Sequence, residues 1–105
     1  MRVLLKVSIP VETGNEMIKD GSLVGHIESI MTELKPEAAY FTAMETGERG
    51  CYIVVDLPDA SKIPWVAEPF FLAFNASVEA CPVMVAEDLM KAMPDMEKAI
   101  KKYGH

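Results

Sequence analysis

Outside its carboxylates and amines, the sequence holds few side chains able to do acid–base or nucleophilic chemistry. They are one internal histidine, three tyrosines and two cysteines. His26 is the first candidate general acid or base, since an imidazole exchanges protons near neutral pH. Tyr40 is the second proton-handling candidate. His26 also has a plain structural explanation: on a helical wheel it falls about 100° from Ile27, at the edge of an apolar stripe, where a half-exposed histidine needs no function. The other histidine, His105, is the last residue, so no two-histidine metal or haem site can be assembled within one ordered chain. No metal-ligand spacing is present either, and neither a metal nor a cofactor is expected.

Cys51 and Cys81 fall on two strands separated by a third, about 10 Å apart at two strand spacings, beyond the roughly 7 Å Cα limit of a disulfide. Their phases point to opposite sheet faces, and both are expected to be buried free thiols. The densest local feature is Trp65, Phe70, Phe71 and Phe74, half of the eight aromatic residues within ten positions. Such a cluster can wall a pocket for an apolar or aromatic ligand, with Tyr40, Tyr52 or Asn75 as polar handles. It can equally be core, and both hold if a cavity lies between its helix and a sheet. Met90, Met93 and Met96 offer a soft apolar surface for a partner subunit, a cavity cap or core. The glycines at 14, 21, 25, 47 and 50 have none of the spacings of a phosphate loop or dinucleotide fingerprint; Gly47 and Gly50 read as turn residues supplying positive φ.

The elements that must position these residues follow from periodicity. Val3, Leu5, Val7 and Ile9 alternate with Arg2, Leu4, Lys6 and Ser8, which predicts a strand over 2–9 ended by Pro10. Gly14-Asn15 signals a helix over 15–34 with Leu23, Ile27, Ile30, Met31 and Leu34 on one stripe, broken or late-starting because of Gly21 and Gly25. Strands over 38–45 and 51–57 flank a Gly-containing hairpin. Ser61 caps a helix over 61–75 with Pro64 in its first turn, and Pro69 opens a second helical piece. A strand over 78–84 and a terminal helix over 86–103, carrying Pro94, complete a single domain spanning 1–105.

The order β-α-β-β-α-β is the ferredoxin-like arrangement, an α+β fold with both helices on one face of a four-stranded antiparallel sheet of order 4-1-3-2, here followed by a C-terminal helix. Val3, Leu5, Val7, Ile9, Ile53, Val55 and Leu57 should face the helices. The opposite face then carries Leu4, Lys6, Ser8, Tyr40, Thr42, Met44, Tyr52, Val54, Asp56, Glu79, Cys81 and Val83, of which seven are apolar or aromatic. A solvated face should be mostly polar, so this one is expected to be covered by a second subunit, or by the terminal helix folding underneath. Lys6 is expected between Glu79 and Asp56, as cross-strand ion pairs or as an active-site group.

The element order, the short length, the apolar open face and the aromatic second helix resemble the dimeric α+β barrel superfamily, which includes antibiotic-biosynthesis-type monooxygenases and muconolactone isomerase-like proteins. The resemblance spans residues 2–84 and is topological. It implies a homodimer through facing sheets, with a small-molecule cavity per subunit between sheet and helices, and it carries over no catalytic residue.

Composition is consistent with one folded domain: 105 residues, half apolar and a quarter charged. Ten basic against sixteen acidic side chains give −6, and since Lys98, Lys101 and Lys102 come last, the first 97 residues carry −9. That balance argues against nucleic acid and anionic membranes as partners. No stretch approaches the roughly 18 apolar residues of a membrane span or a signal-peptide core, which makes cytoplasm the expected location. Two functions follow. One is a cytoplasmic homodimer binding a small apolar molecule, with or without cofactor-independent catalysis; the other is a non-catalytic binding or assembly module whose aromatic cluster is only core. An enclosed cavity above about 300 Å³ reached by His26 or a tyrosine would favour the first, and a filled helix–sheet core the second.

Overall fold

A computed structural model describes residues 1–104. β1 (Arg2–Ile9) alternates half-buried and buried residues along its length, with Val3, Leu5, Val7 and Ile9 inward. Pro10 ends it and directly precedes α1 (Val11–Lys19), so the helix starts four residues before the Gly14-Asn15 signal. Gly14 lies inside α1 under the side chain of Arg49, whose Nη1 would be 2.9 Å from a Cβ at that position. Asp20 and Gly21 (φ +78°) break the helical run, and the Ser22 N–H donates to Asp20 Oδ1 at 2.8 Å. The expected helix is therefore two, the second being α2 (Leu23–Leu34), closed by Lys35 in the left-handed region ahead of Pro36.

β2 (Ala38–Ala43) and β3 (Arg49–Asp56) form a hairpin in which Gly47 takes φ +83°. Gly50, in contrast, has no positive φ. It sits inside β3 because a Cβ there would overlap the Val7 carbonyl oxygen and the Met44 side chain, a close backbone approach that only glycine allows. A 3₁₀ turn at Ala60–Lys62 leads into α3 (Ile63–Phe74). Asp59 caps the 3₁₀ turn, its carboxylate accepting the Ser61 N–H at 2.9 Å, and the N-cap of α3 is Lys62, not Ser61, with no side-chain bond. Pro64 occupies the first turn as expected, but α3 runs unbroken through Pro69. Val66, Phe70 and Phe74 on its inner side are buried in the core, and this packing outweighs the hydrogen bond lost at the proline. Asn75 (φ 52°) ends α3 before β4 (Ser77–Pro82).

Every strand pair is antiparallel and the order is β2-β3-β1-β4, which counted from the β4 edge is 4-1-3-2. With the helices on one face, this is a four-stranded α+β fold compatible with the ferredoxin-like arrangement. Val3, Leu5, Val7, Ile9, Ile53, Val55 and Leu57 form the core together with α2 and α3 residues. The other face is open. Register places Lys6 opposite Tyr52 and Glu79, not Asp56, because β1 and β3 pair Arg2 with Asp56. Asp56 instead accepts from the N-terminal ammonium at 3.2 Å, and Arg2 pairs with Glu37 at 3.0 Å.

α4 (Ala86–Tyr103) is one helix across Pro94, started by Asp88, whose carboxylate accepts the Val85 N–H at 3.1 Å. It does not fold beneath the sheet. None of its residues is buried, and Leu89, Met93, Met96, Ile100 and Tyr103 are exposed. The chain consequently measures 60 × 27 × 20 Å with a Cα radius of gyration of 17.5 Å, against about 13 Å for a compact chain of this length. Among the described residues, no helix is long and apolar enough to cross a membrane.

Candidate functional site

A half-open cleft of about 300 Å³ lies between the sheet and the two central helices. Its floor is built by register: Phe41 on β2 pairs with Cys51 on β3, and Cys51 pairs with Val7 on β1, so one row of side chains crosses three strands on the helix-facing side. Ile9 extends the floor to the end of β1, α2 supplies Leu23 and Ile27 at one helical turn, and α3 supplies Phe70 and Phe74 likewise. The two phenylalanine rings stack at 6.3 Å. Thr42, Arg49 and Gly50 complete the rim.

The polar content of the cleft is small. Burial pushes the Cys51 thiol up to about 12, so it stays protonated and is a poor nucleophile. The Arg49 guanidinium donates from Nη1 to Asn15 Oδ1 at 2.9 Å. Among the described residues no carboxylate approaches it within 4 Å; the ion pairs there involve the N-terminus, Arg2 and Lys91. Thr42 alternates with Phe41 along β2, so its side chain belongs to the open face, and the site presents one cation at the rim of an apolar trough.

The proposed proton-handling pair is not brought together. His26 is exposed on α2 above the cleft, with its ring edge-on to Phe74 at 6.1 Å. Its Nδ1 lies 2.8 Å from the Ser22 carbonyl oxygen; only a donated hydrogen satisfies that contact, which leaves Nε2 as the free nitrogen in the neutral ring. Tyr40 is 67% exposed on the opposite face of the sheet, across from Tyr52. Tyr52 is on that open face too, where its hydroxyl donates to the Glu45 carboxylate, an interaction that lowers the Glu45 carboxyl and raises the Tyr52 phenol. His105 lies outside the described residues.

The aromatic cluster divides by helical phase. Phe70 and Phe74 wall the cleft, while Trp65 (42% exposed) stands in a separate depression with Asp56, Pro58 and Lys62, and Phe71 (39% exposed) faces outward. Asn75 is exposed and serves as the left-handed cap of α3. Cys81 is exposed on the open face, not buried, because β4 is an edge strand with nothing over it. The cleft, half-open and about 300 Å³, is thus not the enclosed cavity expected, and neither His26 nor a tyrosine lines it. A larger and more polar depression of about 490 Å³ sits on the open face, between Lys6 and the carboxylates Glu45, Glu48 and Glu79.

Ile9, Ile27, Phe41, Cys51 and Arg49 are lining residues that sequence reasoning left out. The signal for Arg49 was present: it is in phase with Cys51, Ile53, Val55 and Leu57, a lone charge on the core side of β3. Compared with known protein families and with curated proteins, the sequence matches no family and no curated protein.

Proposed function

We propose that this chain is a homodimeric protein of the dimeric α+β barrel type that holds a small, largely apolar molecule between its sheet and helices. The observation that carries the reading is the unfilled cleft over Val7, Cys51 and Phe41, apolar on its floor and both walls. Protein interiors are ordinarily packed without such space, and an apolar trough with few polar groups is the usual form of a small-molecule site. Its groups suit holding a molecule more than moving its protons, since the thiol is held protonated and His26 and Tyr40 stand elsewhere. Binding is therefore the function proposed. The dimer rests on the open sheet face with Leu4, Tyr40, Tyr52 and Val54, and on the exposed apolar side of α4.

The test is a methyl-labelled NMR titration with a neutral apolar probe, 2-naphthol. Saturable shifts confined to the Val7, Ile9, Leu23 and Ile27 methyls are expected, and Ile27→Trp, which places an indole in the cleft from the half-buried wall of α2, should abolish those of the other three. Shifts that do not saturate, or that follow the α4 methionines instead, would remove the cleft as a binding site.

A further inference from the structure

We infer that the molecule held in this cleft is an amphipathic monoanion, an apolar body ending in a single carboxylate, and that Arg49 receives the carboxylate. The inference rests on the cleft being a binding site and adds the chemical class of its ligand.

Among the described residues, Arg49 is the only charged one lining the trough. Its placement is built into the fold: it opens β3 in the phase of the core residues, pairs with Ile9 across the sheet, and lies over Gly14, where a larger residue would crowd its Nη1. Asn15 on α1 takes one of its hydrogens. A guanidinium offers five N–H donors in a planar fork that matches a carboxylate in two parallel bonds, so donors remain for a ligand.

The contrast with Arg2 is informative. Arg2 is occupied by both oxygens of Glu37 at 3.0 and 3.1 Å, whereas Arg49, in a chain with sixteen acidic side chains, has among the described residues only a neutral amide as partner. A cation left without an acid at the lip of an apolar trough is complementary to a ligand that brings the acid itself. The apolar body would then lie along Ile27, Phe70 and Phe74, away from water. A dianion would bring a second charge to a trough that supplies no second cation, and a neutral carbonyl could accept from the guanidinium, as Asn15 does, but would leave its charge uncompensated.

The experiment compares 2-naphthoate with 2-naphthamide, of nearly equal shape, by calorimetric titration at neutral pH. A charge-assisted pair should favour the acid by about tenfold or more. The preference should persist in Lys62→Gln, which removes one positive charge from another part of the surface, and fall towards unity in Arg49→Gln. In the wild-type protein the Arg49 Nε–H resonance should move further with saturating naphthoate than with saturating naphthamide, a readout that needs no variant to fold. Equal affinity for acid and amide would overturn the monoanion while leaving the cleft as a binding site. An acid preference that survives Arg49→Gln would overturn the role of Arg49, and failure of both compounds to bind would remove the cleft reading and this inference together.

Discussion

Cys51 and Cys81 are chemically the same group placed in two environments, and the sheet decides which is which. Cys51 points between β3 and the helices and is 4% exposed; Cys81 points to the open face of an edge strand. Burial disfavours the thiolate at Cys51, whose folded value of about 12 lies above the ordinary thiol range. A group whose folded pKa is raised leaves stability intact below the unfolded value and erodes it as pH climbs towards the folded one. Cys51 should therefore cost stability only from about pH 8.5 upward, with a slope of at most about 1.4 kcal/mol per pH unit. Urea unfolding of wild type and Cys51→Ala from pH 7 to 10 checks this: the difference between them should narrow, or reverse in favour of the variant, as pH rises. A difference that stays constant across the range would contradict the burial of the thiol. Its position on the cleft floor, beside Phe41 and Val7, makes the same measurement a report on how dry that floor is.

At the level of elements, α3 poses the sharpest question, because it holds a proline five residues before its last. Pro69 cannot donate to the Trp65 carbonyl, and an interior proline costs a helix about 3 kcal/mol before compensation. Part returns through the stiffer unfolded chain, about 0.4–1 kcal/mol. Pro69→Ala should therefore raise the urea midpoint, by about 2 kcal/mol in stability; a lowered midpoint would mean that the ring's own packing outweighs the missing bond. The sequence alone could not decide this, since propensity argues for a break and only the burial of Val66, Phe70 and Phe74 argues against it. The strands were legible to within about two residues because alternation is a local signal, and the open and covered faces followed from it. The two helices of the first crossover were harder: Gly14-Asn15 resembles a helix start, yet glycine is tolerated inside α1 because Arg49 lies over it. The site was legible in part for the same reason. Phe70 and Phe74 share a helical face, but the row Phe41–Cys51–Val7 exists only once the strands are paired in register.

For the whole molecule, the decisive features are two apolar surfaces that the single chain leaves uncovered. The open sheet face is four strands wide and six to eight residues long, which is about 400 Å² in plan at strand spacings of about 4.8 Å and a rise of about 3.3 Å per residue. α4, with 18 residues, adds a strip about 27 Å long. Together they approach the roughly 800 Å² per partner of a stable interface, and neither alone does. Charge favours the same arrangement: the last turns of α4 carry Lys98, Lys101 and Lys102, while the preceding residues carry −9, so an arm reaching across a two-fold axis meets opposite charge. A radius of gyration is a poor discriminator here, because the lone chain is already elongated; mass is the better one. Light scattering should give twice the 11.6 kDa chain mass at about 100 μM. The double variant Met93→Glu with Ile100→Glu, both exposed in the single chain, should weaken association without loss of helical circular dichroism, and Tyr40→Glu should do so independently from the sheet side. A wild-type mass of one chain at that concentration would sink the dimer. A dimer indifferent to both α4 substitutions would restrict the interface to the sheet and leave the arm without its partner.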